Sequence, residues 1–202
     1  MPTAKKPSRP KEIQEIPALF RPRDLVEQGL PKSQLAIWVR EGTAEQLGRG
    51  LYRRTDAEAS ELETIAMVAK RTPHAVFCLL TALHIHAIGT QSPSAVWIAL
   101  DRKARSPRLS PAKLKVVRFA PRLLHEGVEK RVVLGVDVFI TSPARTIVDC
   151  FRYRRKIGID VAMEALSDGL RSKRVIATKI NRVAEALRMT RVMRPYLESL
   201  TR

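Results

Sequence analysis

The 202-residue sequence predicts an α+β fold: a small N-terminal domain of two helices and a hairpin, then a mixed domain with a small sheet and C-terminal helices. Three observations predict it. Two short helical patterns follow one another across Gly29-Leu30-Pro31. Two short extended runs flank Gly48-Arg49-Gly50. Beyond residue 60 the apolar pattern switches between a period of 2 and one of 3.6, so strands and helices are mixed. Hydrophobic residues form 45% of the chain, enough to bury a core in each of two such domains.

Residues 1–11 hold Pro2, Pro7 and Pro10 with Lys5, Lys6 and Arg9, and read as a flexible basic arm. The first domain is placed at 12–56. Arg21 to Gln28 forms one helix, with Leu25 and Val26 facing inward, and Gly29 ends it in the left-handed conformation that glycine tolerates. Pro31 suits the first turn of a second helix, which runs to about Glu41 before Gly42. There Leu35, Trp38 and Val39 make an apolar stripe by their i, i+3, i+4 spacing. Glu45–Leu47 and Leu51–Arg53 then pair as a hairpin. Helix, turn, helix, hairpin is the order of a winged helix-turn-helix.

The second domain is placed at 57–202. Ser60 and Glu63 have the spacing of a capping box, and Leu62, Ile65, Ala66 and Ala69 share a face of the helix that follows. Cys78 to Ile88 reads as a buried helix, and Ala95–Leu100 and Leu114–Phe119 as strands. Val128–Leu134 and Val136–Ile140 form a hairpin turning at Gly135. Ser142 caps, and Pro143 opens, a helix that buries Ala144, Ile147, Val148 and Phe151. Helices at 159–170, 177–187 and 191–200 complete the chain.

Lys and Arg number 37 against 20 Asp and Glu, a net charge of +17. Such a chain repels itself, and a polyanion is the usual counterpart, nucleic acid first, because neutralised phosphates release counterions. On the second helix Lys32, Ser33, Gln34 and Arg40 can donate to bases or phosphates, and Ile37 can meet a thymine methyl. Arg49 sits at the hairpin tip, placed to follow the backbone or enter the minor groove. Winged helices also serve as protein-binding modules, so this face has a second reading. The first 56 residues carry only eleven basic and seven acidic residues; the excess lies further on. Eight basic residues fall between Arg102 and Arg122 with no acidic one. A loop with Arg102, Lys103, Arg105 and Arg108 beside a strand projecting Lys113, Lys115 and Arg118 would make one compact positive surface, and a solvated loop is the alternative.

Other functions find little footing. No apolar run is long enough to span a bilayer and no signal-peptide core is present, so a cytoplasmic protein without a membrane partner is expected. Cys78 and Cys150 sit among apolar neighbours, as reduced buried thiols do. His74, Cys78, His84 and His86 are too poorly spaced for zinc, so no metal and no cofactor are expected. There is no Walker A loop, GxSxG or GxGxxG, and no catalytic residues are assigned. Asp101 at a strand end resembles half of a nuclease motif but lacks an upstream carboxylate. Arg145 and Asp149, one helical turn apart, read as a structural ion pair.

Residues 20–53, FRPRDLVEQGLPKSQLAIWVREGTAEQLGRGLYR, resemble the N-terminal winged helix of the AbiEi-family antitoxins of type IV toxin–antitoxin systems. CLLTALHIHAIGTQSPSAVWIAL at 78–100, TSPARTIVDCFRYRRKIGIDVAMEAL at 141–166 and MRPYLESL at 193–200 resemble the same family. The resemblance implies a non-enzymatic DNA-binding autorepressor that binds inverted repeats in its own promoter. It also implies an antitoxin that counters a nucleotidyltransferase-like toxin without a stable complex. By position, Lys32, Ser33, Gln34 and Arg40 would contact DNA with Arg49 on the wing, and the Arg102–Arg108 cluster would be the antitoxin surface. The sequence does not fix the oligomeric state; a monomer binding the repeats cooperatively is compatible with it. A Mg²⁺-dependent nuclease and an RNA-binding module are the alternative readings of the basic second domain.

Overall fold

The structure, a computed structural model, describes residues 13–48, 50–56, 61–107 and 112–200. It divides into two compact units. One ends at Met67 and takes in the turn Val132–Val136; the other holds Val68–Arg131 and Asp137 onward.

The first unit opens with β1 (Leu19–Phe20), α1 (Pro22–Glu27) and α2 (Lys32–Arg40). Pro22 stands at the start of α1, and the Asp24 carboxylate accepts the Arg21 amide at 2.7 Å, closing the first turn. Gly29 and Gly42, both at positive φ, end the two helices. β2 (Ala44–Gly48) and β3 (Leu51–Arg54) form the antiparallel hairpin, with an irregularity between Gln46 and Gly48. β1 adds a third antiparallel strand, Leu19 opposite Arg53 and Phe20 opposite Tyr52. The core is Ile13, Ile16, Phe20, Leu25, Leu30, Leu35, Trp38 and Ala44. Phe20 meets Trp38 edge-on at 6.3 Å and stacks on Tyr52 at 6.1 Å. The fold is a winged helix-turn-helix.

Three expected core residues are exposed instead. Val26 is 52% exposed, because six residues of α1 present one buried position and Leu25 takes it. Val39 is 41% exposed, at the margin of a stripe that narrows to Leu35 and Trp38. In α3 (Glu61–Arg71) Ile65, Ala66 and Ala69 are buried as expected, but Leu62 in the first turn is 45% exposed. The arm and Ser60 lie outside the described residues; Glu63 is buried and its carboxylate accepts from Arg53 at 3.2 Å.

The second unit is built on a five-stranded sheet. β4 (Val76–Phe77) precedes α4 (Leu79–Ile85); β5 (Val96–Asp101), β6 (Leu114–Phe119), α5 (Pro121–Leu124), β7 (Val128–Val133) and β8 (Val136–Thr141) follow. The order is β6-β5-β4-β8-β7, with β5–β6 and β4–β8 parallel and β4–β5 antiparallel. Leu134 and Gly135, both at positive φ, make the two-residue turn between β7 and β8. Then come α6 (Pro143–Arg152), α7 (Arg154–Ile157), α8 (Ile159–Arg171), α9 (Ala177–Ala186) and α10 (Thr190–Leu200). Ser142 Oγ accepts the Arg145 amide and caps α6. Every residue of α6 from Ala144 to Phe151 is buried, as befits a helix packed against α4, α8, α9 and α10. Gly169 lets α8 close on α6: a Cβ there would lie 2.8 Å from Ile147 Cδ1. Cys78 and Cys150 are free and buried; burial pushes the Cys78 thiol far up and takes that of Cys150 above its ordinary range.

The interior of this unit holds two polar knots. Arg145, 1% exposed, donates from Nε to Asp149 Oδ2 at 2.6 Å and from one terminal nitrogen to the carbonyls of Leu123, at 3.0 Å, and Glu126. Its guanidinium also lies over the Phe119 ring at 5.0 Å. Burial pushes the Asp149 carboxyl up, and Arg145 pulls it back. Gly127, at φ +59, passes so close that a Cβ would lie 3.3 Å from Arg145 Cβ. In the second knot His86 Nε2 donates to the Thr141 carbonyl at 2.7 Å, so the ring is the Nε2–H tautomer and Nδ1 accepts from Arg131 at 3.1 Å. Burial first, then Arg131 and Arg174, hold its pKa below the ordinary value, against the carbonyl bond and Glu129.

Replacing Asp149 with Asn leaves Arg145 as an uncompensated buried charge, and urea unfolding should show a loss of about 3–5 kcal/mol. His86 adds a pH dependence. The unfolded imidazole takes a proton near pH 6.5 and the native ring only at lower pH, so stability falls as pH drops below about 6.5 until the native ring is protonated too. His86→Gln can keep both bonds and should flatten that limb of the pH–stability curve.

Candidate nucleic-acid interface

α2 is held by its Leu35–Trp38 edge, which turns the opposite face to solvent. Lys32, Ser33, Ala36 and Arg40 are exposed, and Gln34 and Ile37 are half-buried. Lys32, Ala36 and Arg40 follow an i, i+4, i+8 row, so they share one side of the helix. Gln34 is two residues from Ala36, about 200° around the axis, and lies off that row. Among the described residues neither Lys32 nor Arg40 is in an ion pair. The arginines of β3 are spent: Arg53 bridges Glu45 and Glu63, and Arg54 bridges Asp56 at 2.7 Å and donates to the Ile16 carbonyl at 2.8 Å. The bonds of Arg54 to Asp56 and the proximity of its charge raise the Arg54 pKa and lower that of Asp56. Arg49 lies outside the described residues.

Between α2 and the hairpin lies an open notch of about 400 Å³, lined by Lys32, Leu35, Ala36, Val39, Arg40, Gln46 and Tyr52. Of the lining residues only Lys32 and Arg40 are expected in the interface from the sequence; Leu35, Ala36, Val39, Gln46 and Tyr52 are not. The signal for Ala36 was present, since it sits midway between Lys32 and Arg40. The signal for Val39 was not, because only the placement of the hairpin leaves it uncovered.

The second basic cluster is divided by the sheet. β5 and β6 run parallel, with Trp97 beside Lys115 and Asp101 beside Phe119. Lys113 and Lys115 therefore lie at the start of both strands, while Arg102, Lys103 and Arg105 follow the end of β5. Four strand positions separate the two ends, roughly 13 Å at 3.3 Å per residue. Lys115 stands over the Trp97 ring at 4.9 Å. Arg118 points to the opposite face from Lys113 and Lys115, by the alternation of the strand. It donates to the carbonyls of Asp101, at 2.8 Å, and Ala104, and to Ser106 Oγ at 2.7 Å. Instead of joining one compact surface with Lys113 and Lys115, Arg118 fastens the loop that carries Arg102, Lys103 and Arg105, all exposed. Arg108 lies outside the described residues.

No group of three His, Cys, Asp or Glu side chains able to hold a metal ion occurs among the described residues. His86 is buried while His74 and His84 are exposed, and Asp101 Oδ1 accepts the Lys103 amide at 2.8 Å. No described helix is long and apolar enough to cross a membrane.

Arg118→Ala should release the loop after β5, and limited trypsinolysis at Arg102, Lys103 and Arg105 should speed up severalfold. Lys115→Ala, which leaves those three bonds in place, should keep the parent rate.

The likeness to known proteins agrees with this geometry. No curated protein sequence matches the chain. The crystal structure of the RV2827C protein from Mycobacterium tuberculosis shares the fold, with a TM-score of 0.54 at 16% identity, over 85% of this chain and 68% of that one. Residues 13–55, the whole of the helix-turn-helix and its hairpin, match the family model described as transcriptional regulator, AbiEi antitoxin.

Proposed function

We propose that the chain is a DNA-binding transcriptional autorepressor and antitoxin, acting in the cytoplasm. Functionally it divides into a basic arm (1–11), a DNA-binding domain (12–56) and an antitoxin-type domain (57–202). α2 enters the major groove of inverted repeats in the chain's own promoter with Lys32, Ser33, Gln34, Ile37 and Arg40, and Arg49 follows the wing onto the backbone. The observation that carries this reading is the solvent face of α2: two cations outside any ion pair among the described residues, on a helix held by its other edge, within the segment that matches a transcriptional-regulator family. The second domain counters a nucleotidyltransferase-like toxin without a stable complex, and its exposed Arg102, Lys103 and Arg105 are the first residues to assign to that role. Whether the operator is bound by cooperating monomers follows from its half-site spacing.

Footprinting with the full chain should protect a repeat upstream of its own gene. Affinity should fall with salt at about 0.9 log units per log unit for each phosphate neutralised. Equal protection of unrelated duplexes would overturn the repressor role. Failure to rescue growth against a nucleotidyltransferase-like toxin encoded beside it would overturn the antitoxin role alone.

A further inference from the structure

We infer that the notch beside α2 reads thymine methyl groups through Ala36 and Val39, while Lys32 and Arg40 hold phosphates on the two walls of the major groove. The inference rests on the proposed DNA-binding role and goes further by assigning which side chains choose the sequence.

Spacing is the first support. Lys32 and Arg40 are eight residues apart on one side of α2, a rise of about 12 Å at 1.5 Å per residue. The major groove is about 12 Å wide. A helix laid across it brings both cations to phosphate walls at once, and the residue midway between them in the same row faces the base edges. That residue is Ala36, exposed and without a polar group.

Chemistry is the second. The notch is lined by Leu35, Ala36 and Val39 with the stems of Lys32 and Arg40, and closed by Gln46 and Tyr52. None of the lining residues is a carboxylate and two are cations, so no like charge in the lining opposes a polyanion. A 41%-exposed valine next to an exposed alanine presents an apolar surface to whatever enters. The apolar group on a base edge in the major groove is the C5-methyl of thymine. Gln34, which could pair with adenine, is half-buried and on another side of the helix.

The test uses the full chain and duplexes selected by it from a random pool. Each thymine of the winning sequence is replaced in turn by deoxyuridine, which removes only the methyl. One position per half-site should lose about fourfold in affinity, the worth of one buried methyl. In Ala36→Gly that ratio should fall to near one, with melting checked alongside. In Ala36→Gln, a better helix former than glycine, fresh selection should exchange the thymine for adenine, which glutamine pairs. Lys32→Ala and Arg40→Ala should weaken all duplexes alike and each lower the salt slope by about one. If no duplex is selected, the DNA-binding role falls and this assignment with it. If duplexes are selected but deoxyuridine binds as well as thymine everywhere, or Ala36→Gln keeps the parent preference, the assignment alone is overturned.

Discussion

A guanidinium buried to 1% exposure is the constraint around which the second unit is arranged. Taking Arg145 out of water is expensive, and only full coordination offsets it. Asp149 supplies the charge from one turn along α6, the carbonyls of Leu123 in α5 and of Glu126 in the connection to β7 supply acceptors, and the Phe119 ring supplies its face. Those partners come from α6 and from the run Phe119–Glu126, which leads from the end of β6 through α5. The pair therefore ties α6 to that run, and removing one partner would leave the other as an uncompensated buried charge. It also demands glycine at 127, where a side chain would crowd the Arg145 stem.

From that helix the order spreads by hydrogen bonds of the same kind. Thr146 returns its hydroxyl to the carbonyls of Thr141, at 3.0 Å, and Ser142, at 2.8 Å, joining α6 to the end of β8. His86 reaches the same Thr141 carbonyl from the end of α4. Arg152 stands 3.8 Å from the second oxygen of Asp149 and donates to the Leu187 carbonyl at 2.6 Å, at the end of α9. Arg145, Thr146, Arg152 and His86 are thus engaged by the unit's own architecture. Whatever the unit does for a partner falls to its surface, where Arg102, Lys103 and Arg105 stand free of ion pairs among the described residues.

The local signals in the sequence were sound where one short stretch determines its own shape. Gly29, Pro31 and Gly42 bracket α2, Ser142-Pro143 opens α6, and Leu114–Phe119 is a strand by its own alternation. What could not be read is anything set by a distant partner. Val76–Phe77 is a strand only because β5 and β8 lie on either side of it, and Leu19–Phe20 only because β3 does. The parallel pairing of β5 and β6 is likewise invisible in spacing, and it divides a basic cluster that looks continuous along the chain. The i, i+4 spacing identified Arg145 and Asp149 as a pair, but not that both are buried. At the candidate interface, periodicity counted Val39 into the core because it cannot tell the edge of a stripe from its centre.

The distribution of charge bears on how the first unit could bind at all. Arg53 and Arg54 of its hairpin are held by Glu45, Glu63 and Asp56, and α2 brings Lys32 and Arg40 as its own cations to a phosphate backbone. The two phosphates that α2 itself can neutralise add only a shallow salt dependence compared with the six to ten contacts of a strong binder. A helix so lightly charged gains little on random DNA, which favours discrimination, since nonspecific affinity is the electrostatic part. On the proposed reading, the affinity missing from one site comes from repetition. An inverted repeat that seats two copies doubles the phosphate count and squares the preference of each helix for its bases, without any change to the helix itself.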